Sequence, residues 1–564
     1  MRGLLQLVRR WRWQWLLWLL PLAFLLVFFF IPLASILRLG AQVFTDQAHL
    51  NLGRVWRPLA FTFGQATLST LLTLLVGLPA AYLFARFRFP GRGLLNALVV
   101  LPFMLPTVVA AAGFNALLGP NGWLNLLLMK LFNLTQAPIH LLNTLGIILL
   151  AHVFYNTPVI IRVVGSAWAQ LDTRVEQAAR VLGASPWQTM RLVTLPLLRP
   201  AILAAAMLVF LFNFTSFGVV LLLGGPQYAT LEVEIYMQAV QMLNLPMAGL
   251  LSGVQLLCTL GISILYSRAV GKQSIPLIPR LKGEGARQPH SGWERVFVAG
   301  MLTLLILLEL LPLIALVLRS VMLMDASGHT VWTLSAYQEL FINRRQSVFY
   351  VPPIQSGVNS LLYGLATVLM AVPLGTLTAM ALRSRSQLAR IMDPVLMLPL
   401  GASAVTLGLG FIAVFNSPPL DVRTFPLLIP IAHTLVALPF VVRTLQPALA
   451  GIPVSLRQAA AVLGASPFQV WRTVELPILA RAAVVSAIFS FTLSLGEFGA
   501  TSFLARPETP TLPVAISRFI SLPGALNYGQ ALAMATLLML VCALSILGIE
   551  QLSRFLNEGE KTNG

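Results

Sequence analysis

Glu309 and Glu497 are carboxylates inside apolar runs, His152 and His433 occupy equivalent places in the two halves of the chain, and Asn156 follows the first histidine by one helical turn. An ionisable group at bilayer depth is costly, so it marks an ion, proton or substrate path, or else a hydrogen bond to a neighbouring helix. Glu497 stands beside Gly496 and Gly499, small residues that let another helix approach closely. It reads either as a path or gate residue or as a structural carboxylate bonded to the opposite half of the chain. Its counterpart is Ser216, and Asn213, Ser216 and Glu497 together form the candidate translocation-path set. Glu309 has Phe28 as its counterpart at the offset that separates the two histidines. For the histidines themselves the simpler expectation is a buried ring held by a neighbouring helix. Catalytic chemistry is not assembled. There is no G-x-x-x-x-G-K-[ST] phosphate loop, since Gly271-Lys272 lacks both the earlier glycine and the following hydroxyl residue. No H-E-x-x-H, no His or Cys cluster at metal-ligand spacing and no Ser/His/Asp context occurs, so no catalytic residue, metal or cofactor is expected on this chain. Cys258 and Cys542 lie in apolar runs and read as small apolar residues, and the 17 methionines are scattered.

The elements that position these residues follow from composition. Of 564 residues, 57% are apolar and 10% charged, and the mean hydropathy is +0.84. Soluble proteins carry roughly 25% charged residues, so a water-soluble enzyme or a nucleic-acid-binding domain is excluded. The net charge of +19 then belongs to loops rather than to a nucleic-acid partner. A bilayer core about 30 Å thick needs about 20 apolar residues per helix. Twelve runs qualify, near 15–37, 59–84, 94–118, 145–165, 200–223, 246–266, 296–318, 356–382, 394–415, 426–445, 480–504 and 530–552. The first is too long for a signal peptide and no cleavage site follows it, so it reads as a retained span. Lys and Arg concentrate in the segments that are cytoplasmic if the N-terminus is inside, which places both termini there. Trp11, Trp13, Trp15 and Trp18 suit an interfacial belt.

The chain is duplicated. At one constant offset, Ala151-His152 matches Ala432-His433, and the match continues through Pro158/Pro439, Arg162/Arg443, Phe217-Gly218/Phe498-Gly499, Pro226/Pro507 and Thr230-Leu231/Thr511-Leu512. Its densest stretch sets Gln177–Pro186 against Gln458–Pro467, identical at nine of ten positions. The offset spans six membrane crossings, an even number, so the repeats are parallel. The expected fold is an all-α polytopic membrane protein with about 12 transmembrane helices. They form one six-helix repeat over 1–280 and another over 285–564, joined by the basic, Pro- and Gly-containing linker Lys272 to Arg287.

The dense match falls in the cytoplasmic loop after the fourth span of each repeat, about 168–198 and 449–479. Arg174 to Leu182 alternates at helical spacing, Gly183 suits a left-handed helix terminus, and Ser185-Pro186 offers an N-cap with proline at the first helical position. Two short helices around a sharp turn are expected, with a second break at Leu195-Pro196 and at Leu476-Pro477. This spacing resembles the E-A-A-x3-G-x9-I-x-L-P loop of ATP-binding cassette importer permeases. The first copy supplies Gln177-Ala178-Ala179, Gly183, Val193 and Leu195-Pro196; the second supplies Gln458-Ala459-Ala460, Gly464, Val474 and Leu476-Pro477. Gln replaces the motif's Glu in both copies, with Glu176 beside the first and Arg457 at the equivalent place in the second.

The resemblance implies that each loop is a coupling helix seated on one of two cytoplasmic ATPase subunits, which bind ATP and magnesium that this chain does not. The ATPase-coupling residues are then Glu176, Gln177, Ala178, Ala179, Gly183 and Pro196, with Gln458, Ala459, Ala460, Gly464 and Pro477. Leu495 to Thr501, followed by Glu508-Thr509-Pro510-Thr511-Leu512-Pro513, resembles the permeases that serve iron(III), thiamine, molybdate and sulfate importers, as does Gly224-Gly225-Pro226 with Thr230-Leu231-Glu232. The fusion of two halves favours the iron(III) and thiamine branches, iron(III) first. An external or periplasmic binding protein, a prokaryotic inner membrane and alternating access complete the implied picture. The competing expectation is an ion-gradient-driven secondary transporter with two parallel repeats, for which only Glu309 and Glu497 are available as intramembrane relays. The outer loop Asp325 to Gly357, with Arg344-Arg345, reads as a binding-protein contact or as a solvated loop.

Overall fold

The computed structural model describes residues 17–45, 52–225, 227–271, 286–324, 330–343, 351–383, 386–422 and 424–562. Trp11, Trp13, Trp15, Pro226, all but the end of the basic linker, and Arg344-Arg345 lie outside them. Among the described residues ten helices are long and apolar enough to cross a membrane, and two further bent pairs bring the number to 12. In chain order the spans are Leu17–Phe44, Gly53–Arg86, the pair Arg92–Met104 with Thr107–Phe132, Leu145–Gln170, Pro186–Phe214 and Leu245–Arg268. The series continues with Gly292–Ser320, Pro353–Leu382, the pair Gln387–Pro399 with Ala404–Val414, Leu428–Ala450, Phe468–Gly496 and Ala525–Gly548. Two short antiparallel hairpins, Met322–Met324 with Thr330–Trp332 and Asn416–Ser417 with Leu420–Asp421, are the sheets among the described residues.

Four of the expected straight spans are interrupted. The third bends by 107° because Leu105, held extended (ψ 145°) before Pro106, cannot continue the helix. The ninth bends by 92° at Ala402, after which Ser403 Oγ accepts the Thr406 amide at 3.0 Å and starts the next segment. The fifth and eleventh stop at Phe214 and Gly496, and their tails form separate short helices, Gly218–Leu223 and Thr501–Leu504. Leu195-Pro196 and Leu476-Pro477 do not break the chain as expected. Each follows a π-helical turn, Met190–Thr194 and Trp471–Glu475, and the helix runs on into the span. A proline lacks an N–H and its ring collides with the carbonyl four residues back, and a turn wider by one residue accommodates both.

The same device recurs in the first and seventh spans, at Leu26–Phe30 before Pro32 and at Ile306–Leu310 before Pro312. Matching these turns end to end shortens the repeat offset by a single position, so Glu309 corresponds to Phe29, which is buried, rather than to Phe28.

Two compact units are present, and they cut across the repeats. One contains Met1–Leu50, Ile235–Gly253 and Leu334–Gly564; the other contains Asn51–Glu234 and Val254–Thr333. Each repeat's opening span is therefore grouped with the body of the other repeat. In the first unit Trp18, Leu25, Phe29, Pro32, Ile36 and Gly40 form one buried stripe at helical three-four spacing. Trp18 is 2% exposed, so it packs inside the protein rather than in an interfacial belt. Phe28 meets Phe411 and Phe415 with ring centroids 6.3 and 5.7 Å apart, and a Cβ on Gly410 would lie 2.8 Å from Pro32 Cβ. In the second unit Gly113 faces the Pro312 carbonyl in the same way, at 3.0 Å. Arg319 donates from Nε to the Asn121 carbonyl at 3.1 Å, which ties the end of the seventh span to the turn between Leu118 and Trp123 in the second limb of the third.

The crossing of Gly40 and Gly249 is backbone against backbone, since a Cβ on Gly249 would lie 2.7 Å from Gly40 N and 2.8 Å from Ile36 O. Nothing there can rotate aside. Gly249→Leu is expected to destabilise the protein by about 1–3 kcal/mol, an overpacking cost. Thermal denaturation in detergent should separate it from Gly253→Leu, where the nearest atom is a flexible Leu37 Cδ2 at 3.6 Å. Equal shifts would remove the close-packing account.

Candidate functional site

The loop after the fourth span is built from local signals. Asp172 accepts the Arg174 amide at 2.9 Å and opens the helix Thr173–Val181. That helix closes at Gly183, whose φ of +91° is left-handed, with Gly183 N donating to Arg180 O and Ala184 N to Ala179 O, both at 3.0 Å. Ser185 then caps the next turn: its amide donates to Gln188 Oε1 at 2.8 Å, and its Oγ accepts the Gln188 amide at 3.2 Å. The second loop repeats the glycine terminus and the Ser-Gln cap but not the Asp172 cap, whose place Pro453 takes. Helix Val454–Val462 ends at Gly464 (φ +85°), Ala465 N donates to Ala460 O at 3.0 Å, and Ser466 and Gln469 form the same reciprocal pair at 2.7 and 3.4 Å. Gln188 and Gln469 escaped the sequence reading, although the Ser-x-x-Gln spacing of a capping box was visible.

These bonds turn one set of residues outward. Gln177, Ala178, Gln458 and Ala459 are exposed, and Ala179 and Ala460 are half-buried. The tips are apolar: Val181 and Leu182 are each 87% exposed, and Val462 and Leu463 are 86% and 87% exposed. Trp187 and Phe468 continue the apolar surface, and Phe468 stacks on Trp471 at 5.9 Å. Pro196 and Pro477 lie exposed where the spans begin. Glu176 does not share the outward face of Gln177. Its carboxylate pairs with Arg86, at the end of the second span, and accepts Thr194 Oγ1 at 2.9 Å.

Asn213, Ser216 and Glu497 are drawn into two polar clusters centred on the histidines. In the first, His152 reaches Ser69 Oγ through Nδ1 (2.9 Å) and Ser216 Oγ through Nε2 (2.8 Å). Asn156 donates to Asn213 Oδ1 at 2.8 Å, Asn213 donates to Thr70 at 3.4 Å, and Gln65 donates to the Asn213 carbonyl at 2.8 Å. In the second, Ser494, the counterpart of Asn213, lies 2.7 Å from His433 Nδ1 and 3.2 Å from Thr367. His433 Nε2 faces Thr501 Oγ1 at 2.8 Å and Glu497 Oε2 at 3.1 Å. Glu497 also accepts the Ala500 amide (2.7 Å), the Thr501 amide (3.0 Å) and the Thr501 hydroxyl (2.5 Å), so it caps the turn that replaces the end of the eleventh span. Its partners belong to its own repeat, not to the opposite half as one expectation had it. The expected close approach is present: a Cβ on Gly499 would lie 2.8 Å from Ala404 Cβ.

Thr62 Oγ1 and Ser360 Oγ accept the backbone amides of Leu231 (2.9 Å) and Leu512 (2.8 Å), so the matched Thr-Leu pairs are anchored alike in both repeats. Ser69, Thr70, Thr367 and Thr501 were missed because isolated hydroxyl residues are common in apolar helices. Glu309 is fully buried, and neither carboxylate oxygen has a hydrogen-bond partner among the described residues. Among those residues no group of three His, Cys, Asp or Glu is placed to hold a metal ion.

Two homologous sets of spans, each interrupted by a helical loop that shares nine of ten residues over its densest stretch, define a multi-pass transport permease of duplicated design. The chain belongs to the family described as binding-protein-dependent transport system inner membrane component, whose model matches it twice, over 74–269 and 371–556. It is thus an inner-membrane ATP-binding cassette importer permease, the membrane component of a system with ATPase and binding-protein partners. It is 28% identical over 508 residues to the thiamine transport system permease protein ThiP of Escherichia coli (strain K12), covering 88% of this chain and 89% of that protein. It is 29% identical over 513 residues to the probable ABC transporter permease protein y4fN of Sinorhizobium fredii (strain NBRC 101917 / NGR234), covering 87% and 88%. Against ThiP of Haemophilus influenzae (strain ATCC 51907 / DSM 11121 / KW20 / Rd), 253 residues are 35% identical, or 44% of this chain and 45% of that protein.

Removing a buried acceptor strands its donors, at a cost of about 1–3 kcal/mol. Glu497→Ala should therefore lower the thermal midpoint in detergent clearly more than Ser216→Ala, which strands one imidazole nitrogen. The reverse order would show that the Glu497 cap does not hold the turn.

Proposed function

We propose that the chain moves thiamine inward across the inner membrane, with both termini cytoplasmic and one ATPase subunit docked on each coupling loop. The observation that carries this reading is the pair of apolar tips, Val181-Leu182 and Val462-Leu463, exposed to the same extent at equivalent places in two loops that share the glycine turn and the Ser-Gln cap. Apolar side chains so exposed at the ends of rigid, water-facing knobs suit burial against a partner. Their duplication suits a dimeric partner. Gln177 and Gln458, exposed beside the tips, contribute polar contacts without charge, whereas Glu176 acts inside the loop. ATP binding by the ATPases and subsequent hydrolysis shift the two repeats, 1–280 and 285–564, between outward- and inward-facing states, which requires the loops to fit the two ATPase states differently. An external binding protein delivers the substrate. Asn213, Ser216 and Glu497 hold the turns that flank the translocation path.

Thiamine takes precedence over iron(III), reversing the order expected from the fusion alone. Similarity to ThiP spans most of both chains, and each histidine is held by hydroxyls of its own repeat, His433 also by one carboxylate.

Leu182→Glu together with Leu463→Glu should abolish co-purification of ATPase subunits and reduce labelled-thiamine uptake to background while the spans still insert. A charged pair at Ala178-Ala179 should act in the same direction. Full uptake by the double variant would sink the docking assignment, and uptake of iron(III) without thiamine would sink the substrate.

A further inference from the structure

Each coupling loop is attached to its repeat twice. One attachment is covalent: the second short helix passes through a π turn directly into the fifth or eleventh span. The other is electrostatic. In the first repeat Arg86, Glu176 and Thr194 form a triad, the ion-paired side chains being 11% and 18% exposed. In the second, Glu475 accepts from Arg383 at 2.8 Å and is ion-paired with Arg457 Nε at 2.6 Å, and Arg457 donates from Nη2 to the Leu449 carbonyl at 3.4 Å. Arg86 and Arg383 stand at the ends of the second and eighth spans. Arg457 occupies the place of Glu176 in the duplicated sequence, and Glu475 occupies that of Thr194, both at the offset that relates His433 to His152.

Two of the three positions are thus the same at that offset, the third is the arginine that ends the corresponding span, and the charges are distributed differently among them. The carboxylate sits on the coupling helix in one repeat. In the other it sits on the helix leading into the span, and the coupling helix carries the matching cation. An incidental surface pair has no reason to be rebuilt with its signs redistributed. A partly buried pair of this kind is costly to break from one side, because the remaining charge is left without its partner.

We infer that the two triads are clamps that make each coupling loop move as one body with the span before it and the span after it. Arg86, Glu176 and Thr194, with Arg383, Arg457 and Glu475, are then positioning residues for the transport cycle. A loop held at one point could rotate about its own helix and absorb a push from the ATPase. A loop held at two points passes the push to both spans. This rests on the docking read above, and it assigns to the clamps only the transmission, not the docking.

The exchange itself supplies the test. Glu176→Arg alone sets two guanidinium groups against each other, whereas Glu176→Arg with Thr194→Glu rebuilds the second repeat's pattern in the first. With the ATPase that co-purifies with the chain, E176R should retain the ATPase and ATP hydrolysis but lose labelled-thiamine uptake by about tenfold, and the double variant should recover to within about threefold, as expected for contacting residues that couple. R457E alone and with E475T should behave in the same way in the second repeat. Chymotryptic cleavage at the exposed Trp187 of detergent-purified chain, a site that no variant alters, gives a readout independent of any ATPase: faster in E176R, restored in the double variant. A double variant as impaired as the single, or a single with wild-type uptake and cleavage, overturns the clamp. A wild-type chain that carries no ATPase overturns the docking reading alone, and the cleavage rates still decide the clamp.

Discussion

At hydrocarbon depth no water receives a backbone N–H or supplies one to a carbonyl, so a spanning chain leaves the helix only where protein groups take over those bonds. This constraint explains where the polar residues of the chain are spent. The fifth and eleventh spans both end short of their apolar sequence, and at each end a histidine from the preceding span reaches the turn. The second repeat adds a carboxylate that binds two backbone amides directly, whereas the first manages with Ser216 and the amide side chains of Asn156 and Asn213. One problem is met by two chemistries, which is why the polar identities differ while the histidines stay fixed. The prolines pose the same problem on a smaller scale, and the π turns before Pro32, Pro196, Pro312 and Pro477 meet it without ending the helix.

The coupling loops face the opposite condition. They leave the spans, expose apolar tips and depend on local bonds to keep their shape. A left-handed glycine, a reciprocal Ser-Gln cap and a span that begins inside the loop leave little freedom within either knob. What remains is the angle between knob and spans, and the ion-paired triads set that. Local stiffness and tertiary anchoring together hold each knob to the spans on either side of it.

The opening spans show how the duplication became one molecule. Each is grouped with the body of the other repeat, and each brings a π turn and a proline to a glycine there, Pro32 to Gly410 and Pro312 to Gly113. Because of that exchange, the sequence repeats and the compact units have different boundaries. Identity between repeats records duplication, whereas compactness records contacts, and a spanning helix can satisfy its apolar surface against either repeat.

The sequence by itself determined the membrane class, the apolar runs that become ten spans and two bent pairs, the duplication and the local shape of the loops after the fourth and tenth spans. All of these depend on composition, on period or on bonds between residues a few positions apart. Gly183, Gly464 and Ser185 could be placed because a cap is decided within one turn of chain. Tertiary structure alone decided that Glu176 turns inward to Arg86, that Glu475 and Arg457 exchange its role, and that Glu497 caps a turn of its own repeat. It also decided that Trp18 is buried and that four apolar runs are not straight spans. Each of these depends on partners supplied by other helices, or on a bend whose apolar sequence looks the same as that of a straight helix, and hydropathy carries no sign of either.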